Sequence, residues 1–211
     1  SSFANPRKGG INAMDLPEDD ELIDVGVSDG TNELILATRS GLACRFHEEK
    51  VRSMGRTAYG VRGVSLEDGD VVVSMVVVKR ASALLTVCEN GYGKRSEISE
   101  YRLTNRGGKG VINIKTTDRN GPVVAVKEVV DDDELMIISL HGIIIRMSLA
   151  HIRVMGRATQ GVRLINLDEG DKVIDVARVV KAEEVEGEGE IENGNGANGE
   201  GDGPIATPDA G

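Results

Sequence analysis

"VRSMGRTAYGVRGVSLEDGDVVVSM" spans residues 51–75 and returns as "IRVMGRATQGVRLINLDEGDKVIDV" at 152–176. A looser pair is "NPRKGGINAMDL" at 5–16 and "NRGGKGVINIKT" at 105–116. Aligned on the glycine before each apolar segment, the copies bring Gly10, Gly60, Gly110 and Gly161 into phase, a period of about 50 residues. Gly41, Gly91 and Gly142 keep the same beat. One supersecondary unit is repeated along the chain.

Each unit reads as β structure. In the second, Val61–Leu66, Val71–Val78, Leu84–Val87 and Tyr92–Ser96 are short runs rich in β-branched residues, and "EDGD", "KRAS" and "ENG" between them are turn chemistry. Helical periodicity is not sustained anywhere. Four strands in a unit of this length predict an all-β, propeller-like array of four-stranded blades, whose radial repetition leaves only short, protected edges. The chain opens near the glycine of one unit and its repeats stop near Val180, partway through another. Two arrangements account for that: an incomplete ring lacking N-terminal blades, or blades that exchange strands with their neighbours.

Composition agrees with this architecture. The 211 residues are 39% hydrophobic but only 2% aromatic, so the core is built from Val, Ile and Leu. No apolar run approaches the roughly 20 residues that cross a bilayer, and "SSFANPRKGG" has no apolar signal region, so a soluble protein is expected. The first residue is Ser, which reads as a fragment or a processed piece. Cys44 and Cys88 lie inside apolar runs without paired spacing and read as reduced core thiols, as in a cytoplasmic protein.

The formal charge of −10 conceals an asymmetry. Residues 181–211 carry nine acidic side chains and one basic, so the first 180 residues are close to neutral. The same segment is poor in large apolar residues and rich in Gly, Glu and Asn, and predicts a disordered acidic tail after a folded region at 1–180. Tethered to a basic surface, such a tail can compete with a polyanion for it.

Within the folded part, arginine recurs in phase. Arg45, Arg95 and Arg146 stand fifteen residues before the anchoring glycines, Arg52, Arg102 and Arg153 eight before, and Arg56, Arg106 and Arg157 four before. Arg62 and Arg163 stand two after, with Ile112 in the third copy. Repeats can copy a solvated face, but the recurring cation is Arg, whose planar fork suits phosphate. Equal phases fall at equal places on successive blades, which predicts a basic stripe on the rim suited to duplex DNA. Lack of aromatic stacking platforms argues against single strands. In "RGGKG" at 106–110, Gly107, Gly108 and Gly110 allow backbone N–H groups to approach a phosphate while Arg106 and Lys109 supply charge; Lys94 and Arg95 add to the same set.

"RGGKG", with the repeating "G-V-R … L-x-x-G-D-x-V" units, resembles the gyrase A box and the blades of the gyrase A C-terminal domain. The resemblance covers about residues 3–180. It implies a beta-pinwheel, a disc of usually six blades that wraps duplex DNA on its rim and supports negative supercoiling in a complex with the rest of gyrase A and with gyrase B. It implies no cofactor here, since ATP and Mg2+ serve other regions of that enzyme. Thr104 and Asn105 stand where the box has Gln and Arg, and a single further unit follows, so 104–110 reads as a box-like segment of a late blade. The alternatives are the similar C-terminal domain of topoisomerase IV and a protein-interaction propeller.

Rival chemistry is weaker. "GYGKRS" at 91–96 has Arg95 where a phosphate-binding loop needs Ser or Thr for Mg2+, and "GNGANG" at 194–199 lies in the tail without a strand before it. His47, His141 and His151 lack ligand spacing, and the acidic runs at 18–21 and 131–134 fall at different phases, so no metal site is assigned. Tyr101 stands where other units have Val51 and Ile152, a packing position, so no catalytic residue is assigned either.

Overall fold

The computed structural model describes residues 8–179, and the expected acidic tail lies outside them. Twelve strands follow in order: β1 (Glu33–Thr38), β2 (Leu42–His47), β3 (Val72–Val78), β4 (Ala83–Cys88), β5 (Tyr92–Glu97), β6 (Leu103–Thr104), β7 (Val111–Ile112), β8 (Val123–Val129), β9 (Glu134–Ser139), β10 (Ile144–Ser148), β11 (Val162–Arg163) and β12 (Val173–Val179). Single 3-10 turns succeed the hairpins at Glu48–Lys50, Ile98–Glu100 and Leu149–His151, and no α-helix occurs among the described residues.

Three sheets form, each built on a tight hairpin: β1–β2, β4–β5 and β9–β10. Gly41, Gly91 and Gly142 close the hairpin tips at φ 91°, 78° and 85°, donating to the carbonyls of Thr38, Cys88 and Ser139. Only glycine takes that backbone conformation without strain, which is why the second glycine beat exists. Each hairpin then receives an inner strand from its own unit: β3 on β1, β8 on β4 and β12 on β9, all antiparallel. The inner strands neighbour one another, β8 lying against both β3 and β12.

The fourth strand comes from elsewhere. β6 and β7, from the following unit, pair on β2, with Arg45 opposite Leu103 in parallel and Ala43 opposite Val111 in antiparallel register. Likewise Val154 bridges Arg95 in parallel and β11 pairs β5, Val162 opposite Gly93. Blades therefore exchange strands, the second of the two arrangements allowed by the sequence. The exchanged strand is also broken: it pairs with its host at two places, and residues 105–110 or 156–161 form the loop between them. Val61–Leu66, expected as a strand, forms none, because among the described residues no hairpin lies where it would pair.

Strand alternation explains the core. In β4, Leu84 and Cys88 join Ile35, Ala37 and Val76 on one side, while Ala83, Leu85 and Val87 join Leu135, Ile137 and Val173 on the other. β4 is buried along its whole length and reads as a continuous run, "ALLTVC", because a sheet packs on each of its faces. Cys44 and Cys88 are free and buried, and burial pushes the Cys88 thiol up to about 12.

Candidate nucleic-acid interface

The exchanged strands lie at the edges of their sheets, and the arginine rows divide there by their contacts. Arg52, Arg102 and Arg153, eight before the glycines, are exposed in all three units. Arg56, Arg106 and Arg157, four before, are half-buried and make one repeated contact. Arg56 Nη1 donates to the carbonyl of Asn12 at 3.1 Å, Arg106 Nη1 to that of Arg62 at 3.0 Å, and Arg157 Nη1 to that of Ile112 at 2.8 Å. In every case the acceptor stands two residues after the anchoring glycine of the preceding unit. Each loop is thus braced on its predecessor through one guanidinium nitrogen.

The box-like loop is docked the same way. Arg106 Nε donates to Lys50 O at 2.8 Å, Gly107 N–H to Gly63 O at 2.6 Å, and Ser65 N–H to Gly108 O at 2.9 Å. The Gly107 amide is therefore committed within the fold, where the sequence had placed it on phosphate. Gly108 and Lys109 are exposed, and Lys109 Nζ lies 3.4 Å from Glu67. Gly110, at φ 82°, and Gly161, at φ 79°, press on the backbone of Ala43 and Gly93; a Cβ on Gly161 would stand 2.7 Å from the Gly93 carbonyl oxygen. Both stand where strand exchange brings two backbones into contact, which leaves no room for a side chain.

The row fifteen before the glycine departs most from expectation. Arg45, on β2, donates to Glu33 and, from Nη1, to the carbonyls of Ile98 and Tyr101, each at 2.8 Å. Arg95, on β5 and only 5% exposed, donates to Ile152 O at 2.7 Å and pairs with Asp131. Lys94 is wholly buried, its ammonium held by Ser96 Oγ at 2.7 Å and the carbonyls of Gly156 and Arg157 at 3.0 and 2.7 Å. All three cations hold backbone carbonyls of the exchanged segment, which commits those donors within the fold. Burial draws the Lys94 ammonium down to about 8, opposed in part by the Glu100 carboxylate. Arg146, the third of the row, is exposed and paired with Glu134, no exchanged strand covering β10 among the described residues.

Arg62 and Arg163 are exposed. Arg163 donates to the Tyr92 hydroxyl at 2.8 Å, and Arg119 lies over the same ring with its guanidinium carbon 4.9 Å from the centroid. Hydrogen bonding from Arg119, and then from Arg163, lowers the Tyr92 phenol below its usual value. Arg119 is not legible from phase, because the other units have Gly69 and Gly170 at its position. Tyr101 is buried and donates to Asn113 Oδ1, as its packing phase requires.

This geometry is a series of three arginine-bearing loops, each braced on the preceding unit and two of them on exchanged strands. A family model described as the DNA gyrase C-terminal domain, beta-propeller, matches residues 1–29, 32–79, 83–129 and 133–179. The chain belongs to that family. The DNA gyrase A subunit of Chlamydia trachomatis is 46% identical over 188 residues, and that of Salmonella typhimurium 44% identical over 186; each match covers 88% of this chain. The chain spans about a fifth of the length of these curated relatives, 22% and 21%. Among solved structures, the C-terminal domain of DNA topoisomerase IV superposes with a TM-score of 0.80 at 26% identity, covering 85% of this chain and 56% of that one. The DNA gyrase A C-terminal domain gives 0.76 at 29%, covering 82% and 59%. Both solved neighbours bear out the beta-pinwheel; the family model and these two curated relatives are of gyrase A.

Proposed function

We propose that this chain binds duplex DNA along the outer edges of its blades, as the non-catalytic C-terminal part of a gyrase A protein whose wrapping of DNA supports negative supercoiling. The observation that carries the reading is the pair of arginines repeated at equal phase in three units: Arg52, Arg102 and Arg153 exposed, and Arg56, Arg106 and Arg157 half-buried and braced on the preceding unit. A side chain whose Nη1 is already fixed loses little freedom when its other donors meet phosphate. Arg62, Arg163, Lys109 and Arg119 extend the set, whereas Arg45, Lys94 and Arg95 leave it for a structural role.

Phosphate contacts position a duplex without reading its sequence. Neutralising six to nine phosphates gives log K against log salt a slope of about −5 to −8 by counterion release. Duplex binding measured across salt concentrations tests this: the reading expects that slope with little sequence preference, and a flat response overturns it in favour of a protein-binding propeller. The rest of gyrase A and gyrase B are the proposed partners, and the bacterial cytoplasm the proposed setting. Strand cleavage and ATP hydrolysis are assigned to other parts of the enzyme. No helix among the described residues is long and apolar enough to cross a membrane.

A further inference from the structure

The two loops that link the halves of an exchanged strand, 105–110 and 156–161, are fastened differently. Three residues after the hairpin glycines stand Cys44, Lys94 and Ile145, and ten before the anchoring glycines stand Lys50, Glu100 and His151. In the first unit the Cys44 sulfur lies 4.0 Å from the Asn105 carbonyl oxygen, and Arg106 is fixed by its own side chain, through Nε to Lys50 O and Nη1 to Arg62 O. In the second, the buried Lys94 ammonium takes the equivalent carbonyl, Gly156 O at 3.0 Å, and the next one, Arg157 O at 2.7 Å. Glu100 Oε2 accepts from the Arg157 N–H at 2.9 Å. Among the described residues the Arg157 side chain makes one bond, from Nη1 to Ile112 O at 2.8 Å.

The main chain on each side of the Arg157 Cα is therefore held by the host hairpin and its 3-10 turn, the amide by a carboxylate and the carbonyl by an ammonium. Both are charge-assisted bonds, about twice as strong as neutral ones. All three ammonium donors are used, since Ser96 Oγ accepts the last at 2.7 Å and donates in turn to Met155 O at 2.8 Å. Main chain fixed on both sides of a residue fixes the direction of its Cβ, so the Arg157 guanidinium is aimed with only Nη1 committed.

We infer that Lys94 and Glu100 are positioning residues for duplex binding, holding the Arg157 main chain so that its guanidinium meets phosphate; this rests on the duplex-binding reading above. Neither touches the polyanion. Loop 105–110, whose Arg106 is tied by its own side chain, does not depend on them. The dependence is on the full ammonium: without its third proton one of the three oxygens loses a donor, and the loop loosens. The groups around Lys94 are Glu100 on the 3-10 turn, Arg157 on the exchanged segment and the Cys88 thiol on β4; burial keeps that thiol protonated, and likewise the Tyr101 phenol next to Glu100. Lys94 gives up its proton at about 8, so binding falls as pH rises past that value, whereas the stability of the fold rises there. A fall in binding over that window is thus no sign of unfolding.

The full chain is titrated with a mixed-sequence linear duplex at low salt, at pH 7.5 and 9.5. Expected for the unaltered chain is about fivefold weaker binding at the higher pH, and for Lys94→Met the weaker affinity at both. An apolar side chain suits the fold there, as Cys44 and Ile145 show at the same phase. Tyr92, whose phenol is also drawn down, is present in both chains, so the difference between them belongs to Lys94. At pH 7.5 Lys94→Met adds nothing to Arg157→Gln but multiplies with Arg106→Gln, the signature of a residue that acts through Arg157. Glu100→Gln keeps an oxygen for the Arg157 N–H but removes the charge that favours the ammonium, so it moves the fall to lower pH. Amide exchange at β4 and β9 reports whether Lys94→Met is folded; if it is not, Glu100→Gln decides, and an unmoved fall overturns the inference. Equal pH responses of the unaltered and Lys94→Met chains, or independent effects of Lys94→Met and Arg157→Gln, overturn it while duplex binding stands. No binding by the unaltered chain at pH 7.5 overturns the duplex-binding reading and this inference with it.

Discussion

Arg45 donates from Nη1 to the carbonyl oxygen of Tyr101, 56 residues later, at 2.8 Å. The contact joins the second strand of one hairpin to the start of the segment that completes its sheet, and Arg95 repeats it with Ile152. Charge-assisted bonds to partly buried carbonyls are among the stronger ones a fold can make. Arg95→Met is therefore expected to lower stability by about 2–3 kcal/mol, leaving the Ile152 carbonyl without that donor. Denaturant unfolding measures it. A salt slope for DNA binding that falls with this substitution, at unchanged fold, would return Arg95 to the rim.

The row eight before the glycine behaves oppositely. Arg52→Gln, Arg102→Gln and Arg153→Gln remove exposed cations and shift stability by no more than about 0.5 kcal/mol each. Under the proposed function each weakens duplex binding and reduces the magnitude of the salt slope by about 1. Unchanged slopes in the triple variant would rule that row out.

Lys94 makes stability depend on pH in a definite direction. Its ammonium is held at about 8 in the fold, against 10.5 as the ordinary value. Between those pH values the unfolded chain binds the extra proton, so stability rises with pH across the window and levels above it. The gain is on the order of 3 kcal/mol at most. Lys94→Met abolishes the rise, and unfolding of both chains at pH 7.5, 8.5 and 9.5 shows the difference.

Glycines of equal phase respond unequally to substitution. Gly110→Ala adds a methyl against the Ala43 backbone in addition to left-handed strain, and is expected to cost about 3 kcal/mol or more. Gly60→Ala meets open space and costs about 1 kcal/mol, from the backbone alone. Equal losses, measured by thermal unfolding, would mean that strand exchange does not press on Gly110.

The repeat phase makes most of this architecture readable. Glycine at 41, 91 and 142 and the apolar runs between turns locate the hairpins and inner strands to within a residue or two. Phase cannot supply the depth of each arginine. Arg45 and Arg102 recur with equal regularity, yet one is spent on backbone carbonyls at the start of the exchanged segment while the other is exposed; only the pairing of β2 with a later unit separates them. Lys94 and Arg119 each lack a counterpart in the other units, so no regularity points to their partners. Tyr101 is legible because its equivalents are Val51 and Ile152, residues that leave no reading except packing.

Strand exchange also bears on how the chain is made. During vectorial synthesis the β1–β2 hairpin emerges and gains β3, but β2 keeps an unpaired edge until Leu103 and Val111 have followed. At roughly 5–20 residues per second that interval lasts several seconds, long enough for an edge to meet another nascent chain. Among the described residues the first two blades are each finished by the next unit, so their maturation trails elongation by one repeat, and a ribosome stalled between Glu97 and Leu103 holds a first blade that its own chain cannot yet close.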